Sequence, residues 1–107
     1  MTTLKTDNSV VTLINTFTVA PENVDDLLDV LSQATEQTMR HMPGFISANF
    51  HVADDRRHVA NYAQWRSRAD FEAMLKSPAA QKHMKEAVSI AKSAQPLVYS
   101  LRQTYEA

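Results

Sequence analysis

A single glycine, Gly44, occurs in the 107 residues of the chain, and this scarcity limits the sites that the chain can build. A dinucleotide-binding fingerprint, a P-loop and a G-x-S-x-G nucleophile turn each need several glycines in a short window. None of the three can be formed by this sequence. The sequence therefore disfavours nucleotide binding and hydrolysis of the common kinds.

The composition removes further classes of function. Cysteine is absent, so disulfides, thiolate metal sites and cysteine nucleophiles are excluded together. Lys and Arg number 11 against 12 Asp and Glu, and this balance argues against nucleic-acid binding through phosphate neutralisation. No apolar run approaches the roughly 20 residues that span a bilayer, and no secretory signal is visible. We expect a cytoplasmic protein without a nucleic-acid or membrane partner.

The length predicts one domain over residues 1–107, with residues 1–8 as a flexible N-terminal segment. Residues 9–19 alternate along a β-branched run, which predicts a strand. Helix-stop and helix-start residues then divide the rest of the chain. Strands are predicted at residues 9–19, 45–52, 58–65 and 97–105, and helices at residues 21–42, 67–76 and 77–94.

This order of elements, β-α-β-β-α-β, predicts an α+β fold of the ferredoxin-like type, with the helices on one face of an antiparallel sheet. The second predicted strand alternates Ile46, Ala48 and Phe50 with Phe45, Ser47 and Asn49, so both faces of the sheet carry apolar side chains. The helices can cover only one of these faces. We therefore expect the other face to pack against a second copy of the chain, as a homodimer.

Four polar or amphipathic side chains on the predicted strands are candidates for chemistry: Asn15, His51, Asn61 and Trp65. A buried carboxamide needs hydrogen bonds, so each asparagine either bonds a neighbouring element or faces a ligand oxygen. Trp65 is either a core anchor or the wall of a pocket. A partly buried imidazole at His51 can bind a ligand or relay a proton.

The remaining histidines and the methionines have simpler interpretations. His41 ends the first predicted helix, where a cation suits the helix dipole, and His58 and His83 are expected to face solvent. No spacing typical of a metal site is present. The helical methionines are either adaptable core filler or walls for a flat aromatic ligand; they are Met39, Met42, Met74 and Met84.

Two segments, PGFISANFH at residues 43–51 and NYAQWRS at residues 61–67, resemble the antibiotic biosynthesis monooxygenase domain family. The likeness spans residues 10–105, and NYAQW is most similar to the branch that oxygenates anthrone-type or hydroquinone intermediates of aromatic polyketides. It implies a dimeric α+β barrel with a cavity in each subunit. It also implies a monooxygenase that uses O2 on a small aromatic substrate, forms a quinone and needs no cofactor or metal.

The resemblance also implies roles for individual residues. Asn61 and Trp65 match a pocket asparagine and tryptophan that hydrogen-bond substrate or peroxy oxygens, Asn15 would be a second donor, and His51 is the candidate for proton transfer. Substrate-binding residues would be Asn15, Phe71, Met74, Met84 and Lys85. Phe71 stands where the polyketide oxygenases carry a tyrosine, and Lys85 where they carry an arginine, so the branch's mechanism does not transfer whole.

Other functions remain open at this point. The cavity of a non-catalytic module would bind a small aromatic molecule without consuming O2. A haem-degrading branch of the same fold also shares Asn15, but its haem-binding histidine falls near Met84 and its pocket tryptophan near Met74. Quinol oxygenation is a further activity of the fold, whereas sugar-phosphate isomerisation would need a phosphate cluster that the strands lack.

Overall fold

The computed structural model describes residues 2–107, which form one layer of helices on one antiparallel sheet. The strands are β1 (Val11–Thr18), β2 (Phe45–Val52), β3 (His58–Trp65) and β4 (Ser93–Tyr99). The helices are α1 (Val24–Gln37), α2 (Arg68–Lys76) and α3 (Pro78–Ile90), with 3₁₀ turns at Pro21–Asn23 and Met39–His41 flanking α1. The strand order is β2-β3-β1-β4, so the predicted ferredoxin-like α+β fold is confirmed.

Gly44 connects the first helical segment to β2 in a backbone conformation that only glycine adopts readily. Its φ is +82°, and a Cβ at this position would overlap the Asp70 side chain at the start of α2. The carbonyl oxygen of Gly44 accepts a 2.7 Å hydrogen bond from the Arg66 backbone N–H. The one glycine of the sequence thus permits β2 to begin directly beside the end of β3.

Serine caps begin the two later helices as predicted. The Asp70 backbone N–H donates to Ser67 Oγ at 3.1 Å, and the Ser67 hydroxyl donates to the Asp70 carboxylate at 3.0 Å. Ser77 Oγ accepts from the Ala80 backbone N–H at 3.4 Å, and Pro78 occupies the first turn of α3. Two helices therefore follow each other with only Ser77 between them.

The C-terminal boundary differs from the sequence prediction. The pattern predicts a third helix to residue 94 and a last strand from residue 97, but α3 ends at Ile90 and β4 begins at Ser93. The sequence predicts that Pro96 ends a helix, whereas the structure places it inside β4. Proline is tolerated there because β4 is an edge strand that pairs only with β1, so its missing N–H leaves no second neighbour unpaired.

A bulge at the start of β2 changes which side chains share a face. Phe45 pairs with Trp65 and Ser47 pairs with Gln64, so Ile46 has no partner in the register. Phe45 therefore lies on the helix-covered face together with Ala48 and Phe50, and not with Ser47 as simple alternation predicts.

The outer face of the sheet is covered in part by the beginning of the chain. Thr2 Oγ1 donates to Ser47 Oγ at 2.9 Å, and the Asn49 amide donates to Thr2 Oγ1 at 2.7 Å. Gln64, which is buried, donates to the Thr3 carbonyl oxygen at 2.8 Å. Residues 2 and 3, part of the segment expected to be flexible, thus contact β2 and β3.

Candidate functional site

A cavity of about 340 Å³ lies between the sheet and the helices, in the size range of roughly 300–1,000 Å³ that small-molecule sites occupy. It is lined by members of both core clusters, so it occupies the place where these clusters meet. The sheet contributes Leu13, Asn15, Phe17, Phe45, Ala48, Phe50, Asn61, Ala63, Trp65, Ala94 and Pro96. The helical side contributes Leu31, Ala34, Thr35, Met39, Met74, His83, Met84, Ala87 and Val88.

Two rows of side chains cross the sheet floor of this cavity. In the polar row, the register places Asn15 directly opposite Asn61, with Phe50 beyond Asn61 on β2 and Pro96 beyond Asn15 on β4.

In the adjacent small-residue row, Ala48, Ala63 and Leu13 are neighbours in the same register. Alanine at two of these three positions leaves the space that the cavity occupies above the floor.

The two asparagines present opposite hydrogen-bonding groups. Asn61 Oδ1 accepts the Asn49 backbone N–H at 3.3 Å, so its carbonyl end is engaged and its NH2 end remains for another partner. Asn15 Oδ1 is buried and has no hydrogen-bond partner among residues 2–107. Directly opposite residues of an antiparallel pair have Cβ atoms roughly 4.5–5.5 Å apart. The floor of the cavity thus carries two opposed amides, of which Asn61 has a free donor end and Asn15 has a buried carbonyl oxygen without a partner.

Trp65 forms one end of the cavity and is only 2% exposed. Its ring meets Phe45 edge-on, with centroids 5.5 Å apart, and Phe71 at 6.5 Å. Phe71 belongs to the same core cluster but does not line the cavity. The prediction that Phe71 contacts substrate is therefore unsupported by this geometry, and Phe71 instead supports the position of Trp65 from behind.

The helical wall brings in one residue whose position the sequence pattern predicts wrongly. His83 is expected from the sequence to face solvent, but it is half-buried and lines the cavity, with Nε2 3.0 Å from Thr38 Oγ1. A signal for this placement exists in the sequence. Ala80 and Ala87, both buried, are seven residues apart, and His83 lies on the same face of α3 at the third position. Met74 and Met84 also line the cavity.

The cavity reaches the surface beside α3. Val88 and Met84 are 52% and 36% exposed, and both also line a shallow surface depression together with Lys85 and Ser89. Lys85 therefore lies at the mouth of the cavity and not on its wall. Lys85 can therefore contact only those groups of a substrate that project from the mouth of the cavity.

His51 lies outside the cavity. It is exposed, its Nδ1 is 3.3 Å from the Asn49 carbonyl oxygen, and alternation along β2 places it on the outer face with Ser47 and Asn49. The strand alternates at this point as predicted, but the outer face is the one that the helices do not cover. The candidate proton-transfer residue of the sequence analysis thus has no place in the cavity of its own subunit.

The other ionisable groups do not build a second site. Within residues 2–107, no three His, Asp or Glu side chains come together as metal ligands, and no helix is long and apolar enough to cross a membrane. At the β2–β3 hairpin, the Arg57 backbone N–H donates to Asp55 at 2.8 Å and lowers the pKa of that carboxyl. The Ser9 backbone N–H lowers the pKa of Asp7 in the same way. Both carboxyls are exposed.

Comparison with known proteins gives consistent matches. Residues 10–86 match the family described as antibiotic biosynthesis monooxygenase. The chain is 52% identical over 83 residues to tetracenomycin-F1 monooxygenase of Streptomyces glaucescens, covering 78% of this chain and 74% of that protein.

Solved structures share the fold. A mutant of SnoaB, a cofactor-independent oxygenase from Streptomyces nogalater, superposes with a TM-score of 0.78 at 22% identity, over 90% of this chain and 96% of that one. A monooxygenase from the ActVA-Orf6 gene of Streptomyces coelicolor, in complex with nanaomycin D, also superposes with a TM-score of 0.78 at 22% identity, over 97% of this chain and 99% of that one. At this identity the likeness concerns the fold alone.

Proposed function

The chain belongs to the antibiotic biosynthesis monooxygenase family and is a monooxygenase, and from this premise we propose that it oxidises a polycyclic phenol or anthrone to a quinone with O2, without a cofactor. The relative at 52% identity is named for its action on tetracenomycin F1, and this name supports a polycyclic aromatic substrate class. SnoaB, which shares the fold, is a cofactor-independent oxygenase, and this supports the same mode of reaction here.

The single observation that carries the proposal is the pair of opposed amides, Asn15 and Asn61, on the floor of an otherwise apolar cavity. Asn15 Oδ1 is buried without a partner, which costs roughly 1–3 kcal/mol, so the protein keeps an unsatisfied amide at this place on the floor. A phenolic hydroxyl in the cavity can accept from the Asn61 NH2 group, because the carbonyl end of that amide is already engaged. The remaining walls are aromatic, aliphatic or thioether side chains, which suit the faces of fused rings.

The reaction needs little more than such a cavity. Triplet O2 reacts slowly with closed-shell molecules, but an electron-rich phenolate or carbanion can transfer one electron to it. The protein must therefore bind the ring, favour its anion and exclude water. The Asn61 NH2 group is a donor for the oxyanion, and Trp65, Met74 and Met84 enclose the rings. We include Lys85 in the proposal only as a contact for an acidic substituent at the mouth.

The test is O2 uptake by chelator-treated protein given a dihydroxyanthrone, with quinone followed by its absorbance. We expect one O2 consumed per quinone formed, and a loss of roughly 10²–10³-fold in kcat for Asn61→Ala, the usual effect of removing one oxyanion donor. Asn23→Ala is the matched control, because Asn23 precedes α1 and its side chain makes no cap hydrogen bond.

Two results would contradict the proposal. Binding of the anthrone without any O2 uptake would make the protein a non-catalytic module for small aromatic molecules. Full activity of both Asn61→Ala and Trp65→Phe would show that the cavity described above is not where the reaction occurs.

A further inference from the structure

His83 is the one ionisable side chain among the described residues that line the cavity. Every other lining residue is apolar, a threonine, an asparagine or a tryptophan, and none of these exchanges a proton at neutral pH. Oxygenation through an anion requires that a proton leave the substrate. The group that accepts this proton inside the cavity is therefore His83, unless water or a basic group of the substrate accepts it.

The hydrogen bond to Thr38 fixes the His83 ring. Thr38 ends α1, and its Oγ1 lies 3.0 Å from His83 Nε2 on α3, so the contact joins two helices. When Nε2–H donates to the threonine hydroxyl, the lone pair of the neutral ring lies on Nδ1. The imidazole is then held in a single tautomer with its basic nitrogen unengaged by Thr38.

The elements packed around His83 bring uncharged side chains to this part of the cavity. The end of α1 and the following 3₁₀ turn contribute Thr35 and Met39, and α2 contributes Met74. The charged residues here, Glu36 on α1 and Arg40 in the 3₁₀ turn, are exposed and form an ion pair at 2.9 Å.

On α3 itself, the charged neighbours Lys82, Lys85 and Glu86 are exposed. On the sheet floor, Asn15 and Asn61 are neutral amides.

We propose that His83 is the proton acceptor of the oxygenation, a role that rests on the proposed function and replaces the one expected for His51. His83 Nδ1 takes one proton from the reactive CH2 of the anthrone, and the resulting oxyanion is held by the Asn61 NH2 group. The carbanion gives one electron to O2, and the radical pair combines to a peroxide anion, which recovers the proton from the imidazolium.

The same imidazole completes the reaction. It takes the second proton of the former CH2 as the O–O bond breaks, which leaves the quinone C=O and a hydroxide. The hydroxide receives that proton and departs as water. One O2 thus supplies the oxygen atom of the quinone and the oxygen atom of the water, and no other reductant or oxidant is needed.

The first test is steady-state oxidation of a dihydroxyanthrone across pH 5–9 by His83→Gln, with thermal unfolding measured for each variant. Glutamine can keep a donor near the Thr38 hydroxyl, so the contact between α1 and α3 is preserved while the basic nitrogen is lost. We expect kcat to fall by roughly 10²–10⁴-fold, the usual contribution of a positioned acid or base, with KM changed little. The acidic limb of the wild-type pH profile should disappear. His58→Gln, at the exposed hairpin, should behave like the wild type.

The second test omits O2. Trp65 is the only tryptophan of the chain and lies on the cavity wall, so its fluorescence reports binding of the anthrone under anaerobic conditions. We expect wild type and His83→Gln to bind the anthrone with similar affinity, but only the wild type to produce the absorbance band of the bound anion.

These results separate the two proposals. An active His83→Gln, a loss of activity with an unchanged pH profile, or an anion band equal to that of the wild type would each overturn the role of His83 and leave the monooxygenase intact. A wild type that forms the anion but consumes no O2 would overturn the proposed function while retaining His83 as the proton acceptor.

Discussion

At the scale of single residues, the sheet carries an asparagine that the protein satisfies on its outer face and one that it does not satisfy on the cavity floor. Asn49 on the outer face donates through its amide to the Tyr62 carbonyl oxygen at 2.9 Å and to Thr2. Asn15 Oδ1 on the inner face has no such partner within the described part of the chain. Two asparagines of one sheet therefore contribute to stability with opposite signs.

This contrast predicts a trade between stability and binding at Asn15. We expect Asn15→Leu to leave the free energy of unfolding unchanged or raise it by about 1 kcal/mol, because an apolar group of similar shape replaces an unpaired acceptor. Binding of an anthrone, followed by Trp65 fluorescence, should weaken. Asn49→Leu is the matched control and should lower the free energy of unfolding by about 1 kcal/mol in urea titrations. Equal destabilisation by both variants would mean that the Asn15 amide is already satisfied.

The residues that the sequence placed correctly and incorrectly differ for a physical reason. Asn15, Asn61 and Trp65 lie on strands whose alternation is regular, so the pattern placed each of them on one face with its apolar neighbours. His51 lies on β2, which alternates regularly beyond the bulge at Ile46, but alternation does not say which face the helices cover. His83 belongs to a helix whose buried face is marked mainly by alanines, a weak hydrophobic signal that does not distinguish a cavity wall from solvent.

At the scale of elements, α2 is the part of the helical layer that depends most on its first turn. It has only nine residues, and it supports the cavity through Met74 and, behind Trp65, through Phe71. The reciprocal bonds between Ser67 and Asp70 begin this helix. Short helices gain little from propensity alone, so this cap and the buried side chains hold α2 in place.

Removing the cap should therefore be measurable. We expect Ser67→Ala to lower the free energy of unfolding by about 1 kcal/mol, within the range of roughly 0.5–2 kcal/mol typical of N-cap serines. Ser89→Ala is the control, since Ser89 is exposed in the last turn of α3 and bonds only the Glu86 carbonyl oxygen. Chemical denaturation of both variants distinguishes the cap from a general effect of losing a hydroxyl. Indistinguishable midpoints would show that packing alone holds α2.

The boundary between α3 and β4 shows which ends of helices and strands a local sequence pattern predicts and which it does not. Capping serines, prolines and the one glycine identified most helix ends, because these residues act through local backbone geometry. Pro96 acts locally too, but an edge strand tolerates it as well as a helix end does. The edge position of β4 follows from the strand order, which no local pattern contains. The bulge at Ile46 escaped prediction because it depends on the pairing of β2 with β3, which no local pattern contains either.

At the scale of the whole molecule, the outer face of the sheet remains exposed along the edge strand β4. Leu97 pairs with Ile14 and Tyr99 with Thr12 in the register, so both lie on this face, and each is 46% exposed. The N-terminal residues cover only the part over β2 and β3. Contiguous apolar surface of this kind is typical of an interface, and it supports the homodimer that we propose.

The homodimer can be tested by its mass in solution. We expect sedimentation equilibrium to give twice the mass of the chain, and Leu97→Asp to shift the protein to monomers, because an unpaired carboxylate would be buried in the interface. Leu75→Asp is the matched control, since Leu75 is 40% exposed on α2 and lies away from this face. A wild type that sediments as a monomer would refute the dimer, and an unaffected Leu97→Asp would place its interface elsewhere.

The two rows on the cavity floor also bear on how such an enzyme can diversify. The amides of Asn15 and Asn61 occupy one row, while Ala48 and Ala63 in the next row set the volume of the cavity above the floor. A single substitution at either alanine changes the space for a substrate and leaves the hydrogen-bonding pair in place. Duplicated genes can thus come to encode enzymes that bind different ring systems, through single substitutions that each leave the two asparagines unchanged.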